Sequence, residues 1–289
     1  MRTPSRGEKE GTDMPKVSVN GVQFYYEVHG EGFPLVLAHG YTASTELWLD
    51  QLPAFSKRYR LVIHDTRGHG QSEAPAELSK YSLDLFVEDQ KAIMDHLGIA
   101  EAYVGGLSMG GMIAMRFALR YPQMVRALLL FDTAAAPLPG EWHEARGDAE
   151  RIARSQGVLA AMQRLYEARA GAGFPMPEPT TGVVRHMAGL QRMSPDGFVG
   201  AGMALQEMGS VLERLGEIQA PTLILVGDQD PLLAPSRAMQ ERLPGCQFVL
   251  IKGATHGTCL WRPEAFTQAT LDFLAKVDAG QPVAGEREL

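Results

Sequence analysis

The sequence predicts an α/β fold built on a mostly parallel sheet, and three observations carry that expectation. Short, nearly continuous apolar runs recur along the chain, amphipathic stretches separate them, and a glycine-flanked serine stands where one run gives way to helical spacing. Alternating strands and helices imply right-handed crossovers and hence parallel pairing. Pro34-Leu35-Val36-Leu37-Ala38 and Arg60-Leu61-Val62-Ile63-His64 lack polar alternation, as strands covered on both faces do. Ala102 to Gly105, Ala127 to Phe131, Pro221 to Val226 and Gln247 to Ile251 repeat the pattern. Lys16 to His29 reads as two more strands joined at Asn20-Gly21, a dipeptide suited to a type I′ hairpin because both central residues need positive φ. Antiparallel pairing therefore opens a sheet of eight strands.

Between the strands, Ser82 to Leu97 places Leu83, Phe86, Val87, Ile93, Met94 and Leu97 on one helical face. Met109 to Tyr121 and Pro263 to Val277 read as further helices. The alternation stops for about eighty residues after the sixth strand, too long a stretch for an ordinary loop. A helical lid over 134–216 is expected there, inserted into a core of 16–133 and 217–277. Its helical segments are Glu141 to Gln156, Val158 to Ala170, Gly182 to Met193 and Asp196 to Leu215, with breaks at Gly157, at Gly171 to Pro179 and at Pro195. Met162, Met176, Met187, Met193, Met203 and Met208 recur in the lid; methionine adapts to irregular surfaces, so they suit a pocket wall as well as ordinary packing. Residues 1–15 read as a disordered extension, and 278–289, rich in glycine, proline and charge, as a flexible tail.

Composition narrows the function classes. An apolar fraction of 45% and a charged fraction of 21% are ordinary for a globular protein, and 289 residues suffice to bury a sizeable core. Lysine and arginine number 27 against 34 acidic residues, for a formal charge of -7, with no long basic run, which argues against a nucleic-acid partner. Two cysteines, Cys246 and Cys259, are too few for a disulfide framework or a zinc site. No segment has the length of a membrane span and Met1 to Pro15 holds no apolar stretch, so a cytoplasmic protein without a membrane partner is expected.

The chemistry centres on Gly106-Leu107-Ser108-Met109-Gly110, between an apolar strand and a helix. A sharp strand-to-helix turn holds a serine hydroxyl exposed and strained, and the glycines leave room beside it. A serine alkoxide is inaccessible at neutral pH, so the hydroxyl needs a base and the base needs an orienting group. His256 follows the last strand and Asp230 the strand before it, so both fall at the same carboxyl edge as Ser108. Asp228, two residues away, and Asp132, at the end of the sixth strand, are competing acids. His64, His96, His143 and His186 have no motif around them and read as solvated or structural, whereas His39 reads as shaping its loop.

Along almost its whole length the chain resembles the α/β-hydrolase superfamily. The resemblance rests on His39-Gly40, on Asp65-Thr66-Arg67-Gly68-His69-Gly70-Gln71-Ser72, on Gly106 to Gly111, on Gly227 to Pro231 and on His256, in that order. It implies Ser108 as nucleophile, His256 as general base and acid, and Asp230 as the orienting carboxylate. The backbone amides of Met109 and Tyr41 would form the oxyanion hole, with Thr42 as the alternative to Tyr41. Asp65 and Arg67 resemble a loop-stabilising pair.

A serine at position 108, rather than a carboxylate, points to acyl transfer: attack on an ester or lactone carbonyl, then hydrolysis of the acyl-enzyme, with no metal or organic cofactor. The elbow resembles those of 3-oxoadipate enol-lactonases and small carboxylesterases. Carbon-carbon bond hydrolases usually carry Asn where Leu107 stands, and cofactor-free haloperoxidases carry Phe. From another class, a member of the same fold could bind a small ligand without turning it over.

Overall fold

Residues 15–137, 141–171 and 179–289 are described by a computed structural model. Residues 1–14 of the expected extension and Met176 of the lid lie outside the described residues, as does the side chain of His143. Strands β1 (Lys16–Val19) and β2 (Val22–His29) form the antiparallel hairpin. Asn20 and Gly21, at φ 51° and 71°, supply the two left-handed residues that a type I′ turn requires.

The chain continues through β3 (Pro34–Ala38), α1 (Leu52–Phe55), β4 (Arg60–His64), α2 (Leu83–His96), β5 (Ala102–Leu107), α3 (Met109–Arg120) and β6 (Val125–Phe131). Among the described residues four α-helices follow: α4 (Glu141–Gln156), α5 (Val158–Gly171), α6 (Thr181–Gly189) and α7 (Pro195–Gln206). The alternation resumes with β7 (Thr222–Gly227), α8 (Leu233–Arg242), β8 (Gln247–Ile251), α9 (Thr258–Trp261), α10 (Pro263–Asp278) and β9 (Gly285–Glu288). The sheet order is β1-β2-β4-β3-β5-β6-β7-β8-β9, parallel from β4 to β9.

Strand order reverses between β3 and β5, because β4 lies on one side of β3 and β5 on the other. Loops leaving the carboxyl ends of such strands diverge and open a crevice, which is where ligands bind in open α/β sheets. Both faces of the sheet are covered. Val36, Val62, Val104, Leu128 and Ile224 pack with α2 and α3, while Leu35, Leu61, Leu129, Leu223 and Val249 pack with Trp48, Phe55, Phe266 and Phe273. Burial on both sides explains why these strands read as continuous apolar runs.

Two expectations are corrected. Among the described residues the sheet has nine strands rather than eight, and the ninth falls in the tail expected to be flexible: Gly285–Glu288 pairs parallel with β8. Its sequence, Gly-Glu-Arg-Glu, carries no apolar signal because it is an edge strand, held by charge. Glu286 pairs with Arg237, whose guanidinium also lies 4.0 Å over the Phe248 ring, and Arg287 pairs with Asp272. The helix expected over Asp196 to Leu215 ends at Gln206, and a separate 3-10 turn covers Leu212–Glu217. Gly209 interrupts the segment between them.

Within the segment between β6 and β7, Ala149, Ala153, Val158, Ala161, Leu190 and Phe198 form a small core of their own. Met162 and Met193 are buried in it, whereas Met208 belongs to the main core. Pro195 occupies the first position of α7 behind the Ser194 cap, where the missing N–H costs nothing.

Candidate active site

The serine turn is built by close approach. Ser108 is the single residue between β5 and α3, at φ 55° and ψ -114°, a conformation that a residue with a side chain rarely adopts. Its amide donates to the Phe131 carbonyl at 2.9 Å, and its own carbonyl accepts from the Met112 amide at 3.1 Å and from Thr133 Oγ1 at 2.7 Å. A Cβ at Gly106 would stand 2.5 Å from the Gly110 carbonyl carbon, and one at Gly110 would stand 2.1 Å from the Ala38 oxygen. Only glycine lets β3, β5 and α3 meet this tightly, and the turn is thereby forced.

His256 sits in the loop between β8 and α9, and Asp230 in the loop between β7 and α8. Asp230 Oδ2 lies 3.0 Å from His256 Nδ1, and Oδ1 accepts from the Leu232 amide at 2.7 Å. An Nδ1–H donated to a carboxylate leaves Nε2 as the proton-accepting nitrogen. The Asp230 side chain is fully buried, whereas the imidazole side chain is 27% exposed. Burial pushes Asp230 up, but the His256 charge and hydrogen bond, the Leu232 amide and the Asp132 side chain outweigh it and hold the carboxyl below its usual range.

The other two acids take different partners. Asp228 Oδ1 accepts from the Gly253 amide at 2.8 Å and so joins the β7 and β8 loops. Asp132, fully buried, accepts from the Gly227 amide and from the Thr258 amide and hydroxyl. Of the three aspartates, Asp230 alone is hydrogen-bonded to the imidazole among the described residues.

Tyr41 follows β3, on the strand's crevice side. Its phenol donates to the Phe198 carbonyl at 2.8 Å and its ring stacks on Phe198 at 5.3 Å, which ties the loop to α7. Thr42, at φ 67°, donates its hydroxyl to the Tyr41 carbonyl. Gly40 brings this loop against the serine: a Cβ there would stand 3.3 Å from Ser108 Cβ. Met109 opens α3, so its amide belongs to the first turn, whose N–H groups have no intrahelical acceptor and form the positive end of the helix dipole.

The surrounding loops are held by buried polar contacts. His39 Nε2 accepts from the Thr66 amide at 2.9 Å, which places the proton on Nδ1, directed at the Gly40 carbonyl. Asp65 and Arg67 work separately rather than as a pair. Asp65 accepts from the Thr45 and Gln71 amides, both at 2.7 Å, while Arg67 makes a two-pronged contact with Asp89 at 2.7 and 2.9 Å.

One residue that motif reading passed over lies beside the site. Burial first, and then the charge on His256, lower His186 on α6 to about 4. Helix α6 is brought there by Thr180, which donates to the Leu260 carbonyl, and by Arg185, which pairs with Asp50. A small cavity of ≈ 30 Å³ lies against His186 and is also lined by Thr42, Ser44, Glu46, Arg192 and Met193. Among the described residues, no cluster of three or more His, Cys, Asp or Glu side chains could hold a metal ion, and no helix is long and apolar enough to cross a membrane.

A parallel sheet with a strained serine turn and a hydrogen-bonded histidine and aspartate on one rim defines the class of α/β hydrolases. A family model for the alpha/beta hydrolase fold matches residues 34–263, and the chain belongs to that family. The putative carbamate hydrolase RutD of Azorhizobium caulinodans is 26% identical to it over 286 residues, covering 92% of this chain and 100% of its own. The crystal structure of the enol-lactonase from Burkholderia xenovorans matches with a TM-score of 0.77 at 26% identity, covering 90% of this chain and 100% of that one. A thermophilic esterase from Thermogutta terrifontis matches with a TM-score of 0.77 at 26% identity, covering 91% and 98%.

Proposed function

We propose that this protein is a serine hydrolase that cleaves a carboxylic ester or lactone through an acyl-enzyme. The observation that carries the reading is the Asp230–His256 hydrogen bond on the sheet edge where Ser108 is held at positive φ. His256 takes the Ser108 proton as the hydroxyl attacks the carbonyl carbon, and Asp230 stabilises the imidazolium that forms. The Tyr41 and Met109 amides receive the charge on the carbonyl oxygen, aided by the α3 dipole. The imidazolium then protonates the leaving oxygen; in a second half-reaction water, deprotonated by His256, releases the acid and restores Ser108.

The helices between β6 and β7 act as a lid over this site; His186 of α6, which lines one cavity with Thr42 of the loop after β3, supports that role. A carbamate is a second substrate class, favoured by the similarity to RutD; its carbonyl passes through the same tetrahedral oxyanion. The test is hydrolysis of short p-nitrophenyl esters, lactones, carbamates and a vinylogous diketone, together with labelling by a fluorophosphonate. Wild-type protein is expected to label at Ser108 and to turn over an ester or lactone, with Ser108→Ala lowering kcat by on the order of 10⁶. Tight ligand binding without labelling or turnover would replace the enzyme with a binding protein.

A further inference from the structure

The loop after β3 carries a second strained residue beside the serine. Gly40 to Ala43 form a turn closed by the Ala43 amide, which donates to the Gly40 carbonyl at 3.1 Å. Thr42, the third residue of the turn, sits at φ 67°, while Tyr41 before it has a negative φ. That combination is a type II turn, whose third position suits glycine or asparagine. A β-branched residue there is an outlier, and such strain persists only where the surroundings over-determine it.

Two contacts from nearby hold the turn: His39 Nδ1–H donates to the Gly40 carbonyl at 2.8 Å, and the Thr42 hydroxyl donates to the Tyr41 carbonyl at 2.6 Å. Another reaches across to α7. The Tyr41 phenol donates to the Phe198 carbonyl at 2.8 Å while the two rings stack with centroids 5.3 Å apart. Helix α7 is a firm anchor for that bond. A Cβ at Gly197 would stand 1.8 Å from the Gly68 oxygen, so the helix seats directly on the backbone of the loop after β4. Asp196 pairs with Arg154 of α4 at 2.7 Å. Phe198 is fully buried in the small core between β6 and β7, and Tyr41 packs against both that core and the main one.

We propose that the Tyr41 side chain is a positioning group for the oxyanion hole: its hydroxyl, bonded to the Phe198 carbonyl of α7, keeps the Thr42 turn strained and the Tyr41 amide aimed beside Ser108. The proposal rests on the hydrolase reading, in which that amide receives the carbonyl charge. Without the hydroxyl, Thr42 relaxes toward negative φ, the peptide joining Tyr41 to Thr42 rotates, and the corner of the turn swings. An oxyanion donor acts on charge that develops in the transition state. Misplacing it therefore lowers kcat and leaves KM where it was.

Tyr41→Phe, which keeps the ring and its stack, tests this. With a p-nitrophenyl ester its kcat should fall about fivefold, the worth of one hydrogen bond, with KM unmoved. The inhibition constant of a trifluoromethyl ketone, whose serine adduct places an oxyanion in the hole, should rise by the same factor. Thr42→Gly removes the strain, so in that background Tyr41→Phe should cost about twofold or less. Thr42→Asn takes its place should the glycine variant not fold, because asparagine tolerates the left-handed region. A Tyr41→Phe kcat equal to wild type, a change confined to KM, or the same loss in both backgrounds overturns the proposal. Hydrogen exchange reads the turn without substrate. The Ala43 amide, which closes it, should exchange about fivefold faster in Tyr41→Phe, and unchanged exchange overturns the proposal as well. Should wild-type protein turn over no ester, the hydrolase reading fails, while exchange still decides whether the phenol holds the turn.

Discussion

Ser108 concentrates the cost of the site in one residue. Its backbone sits at φ 55° and ψ -114° because the hydrogen bond its amide donates to the Phe131 carbonyl and those its carbonyl accepts from Met112 and Thr133 leave no alternative. Strain of this kind costs on the order of 1–3 kcal/mol and persists only where the surroundings over-determine it. Ser108→Gly should therefore raise stability by about 1 kcal/mol, after allowance for glycine's freedom in the unfolded chain. It should also abolish turnover, whereas Ser108→Ala, which keeps the Cβ, should abolish turnover with no such gain. Thermal denaturation of the three proteins, read beside ester hydrolysis, checks the contrast. The glycine-flanked serine was legible from its neighbours. The choice of Asp230 over Asp228 and Asp132 was not fixed by spacing: all three lie at strand ends on the same edge, and their directions depend on loops folded against one another.

At the scale of elements, the elbow is a contact among three pieces of backbone, and glycine makes it possible. Gly110→Ala puts a Cβ 2.1 Å from the Ala38 oxygen, so α3 must move away from β3. A loss of about 1–3 kcal/mol is expected, with a drop in activity as the Met109 amide shifts. Gly147 gives the internal comparison. It lies within α4 with open space around it, so Gly147→Ala should stabilise by about 0.5–1 kcal/mol and leave the elbow untouched. Urea denaturation of both variants separates close approach from helix propensity. Helical periodicity located α2 and the helices between β6 and β7, because each buries one face. It overran α7, since apolar spacing continues past Gln206 although the backbone does not.

At the scale of the whole molecule, the reversal of strand order between β3 and β5 gathers the loops after β3 and β5 beside those after β7 and β8. The opposite margin closes with β9, whose charged side chains cover the β8 edge. Removing residues 281–289 uncovers that edge, a row of unpaired backbone groups open to another chain. The truncated protein should melt at a lower temperature and self-associate with concentration. Calorimetry and light scattering check this, and an unchanged melting temperature would assign the strand no part in stability.

Apolar runs, the Asn20-Gly21 turn and the elbow glycines are local signals, so the sequence by itself determined the alternation of elements, the order of the loops and the strained serine. The family resemblance pointed to Asp230, and the tertiary structure joins it to His256; the tertiary structure alone decided that Arg67 holds Asp89 rather than Asp65, that His186 shares a cavity with Thr42, and that a polar tail completes the sheet. Periodicity reports which face of an element is buried. It carries no information about which distant polar group will be waiting when two loops or two edges come together.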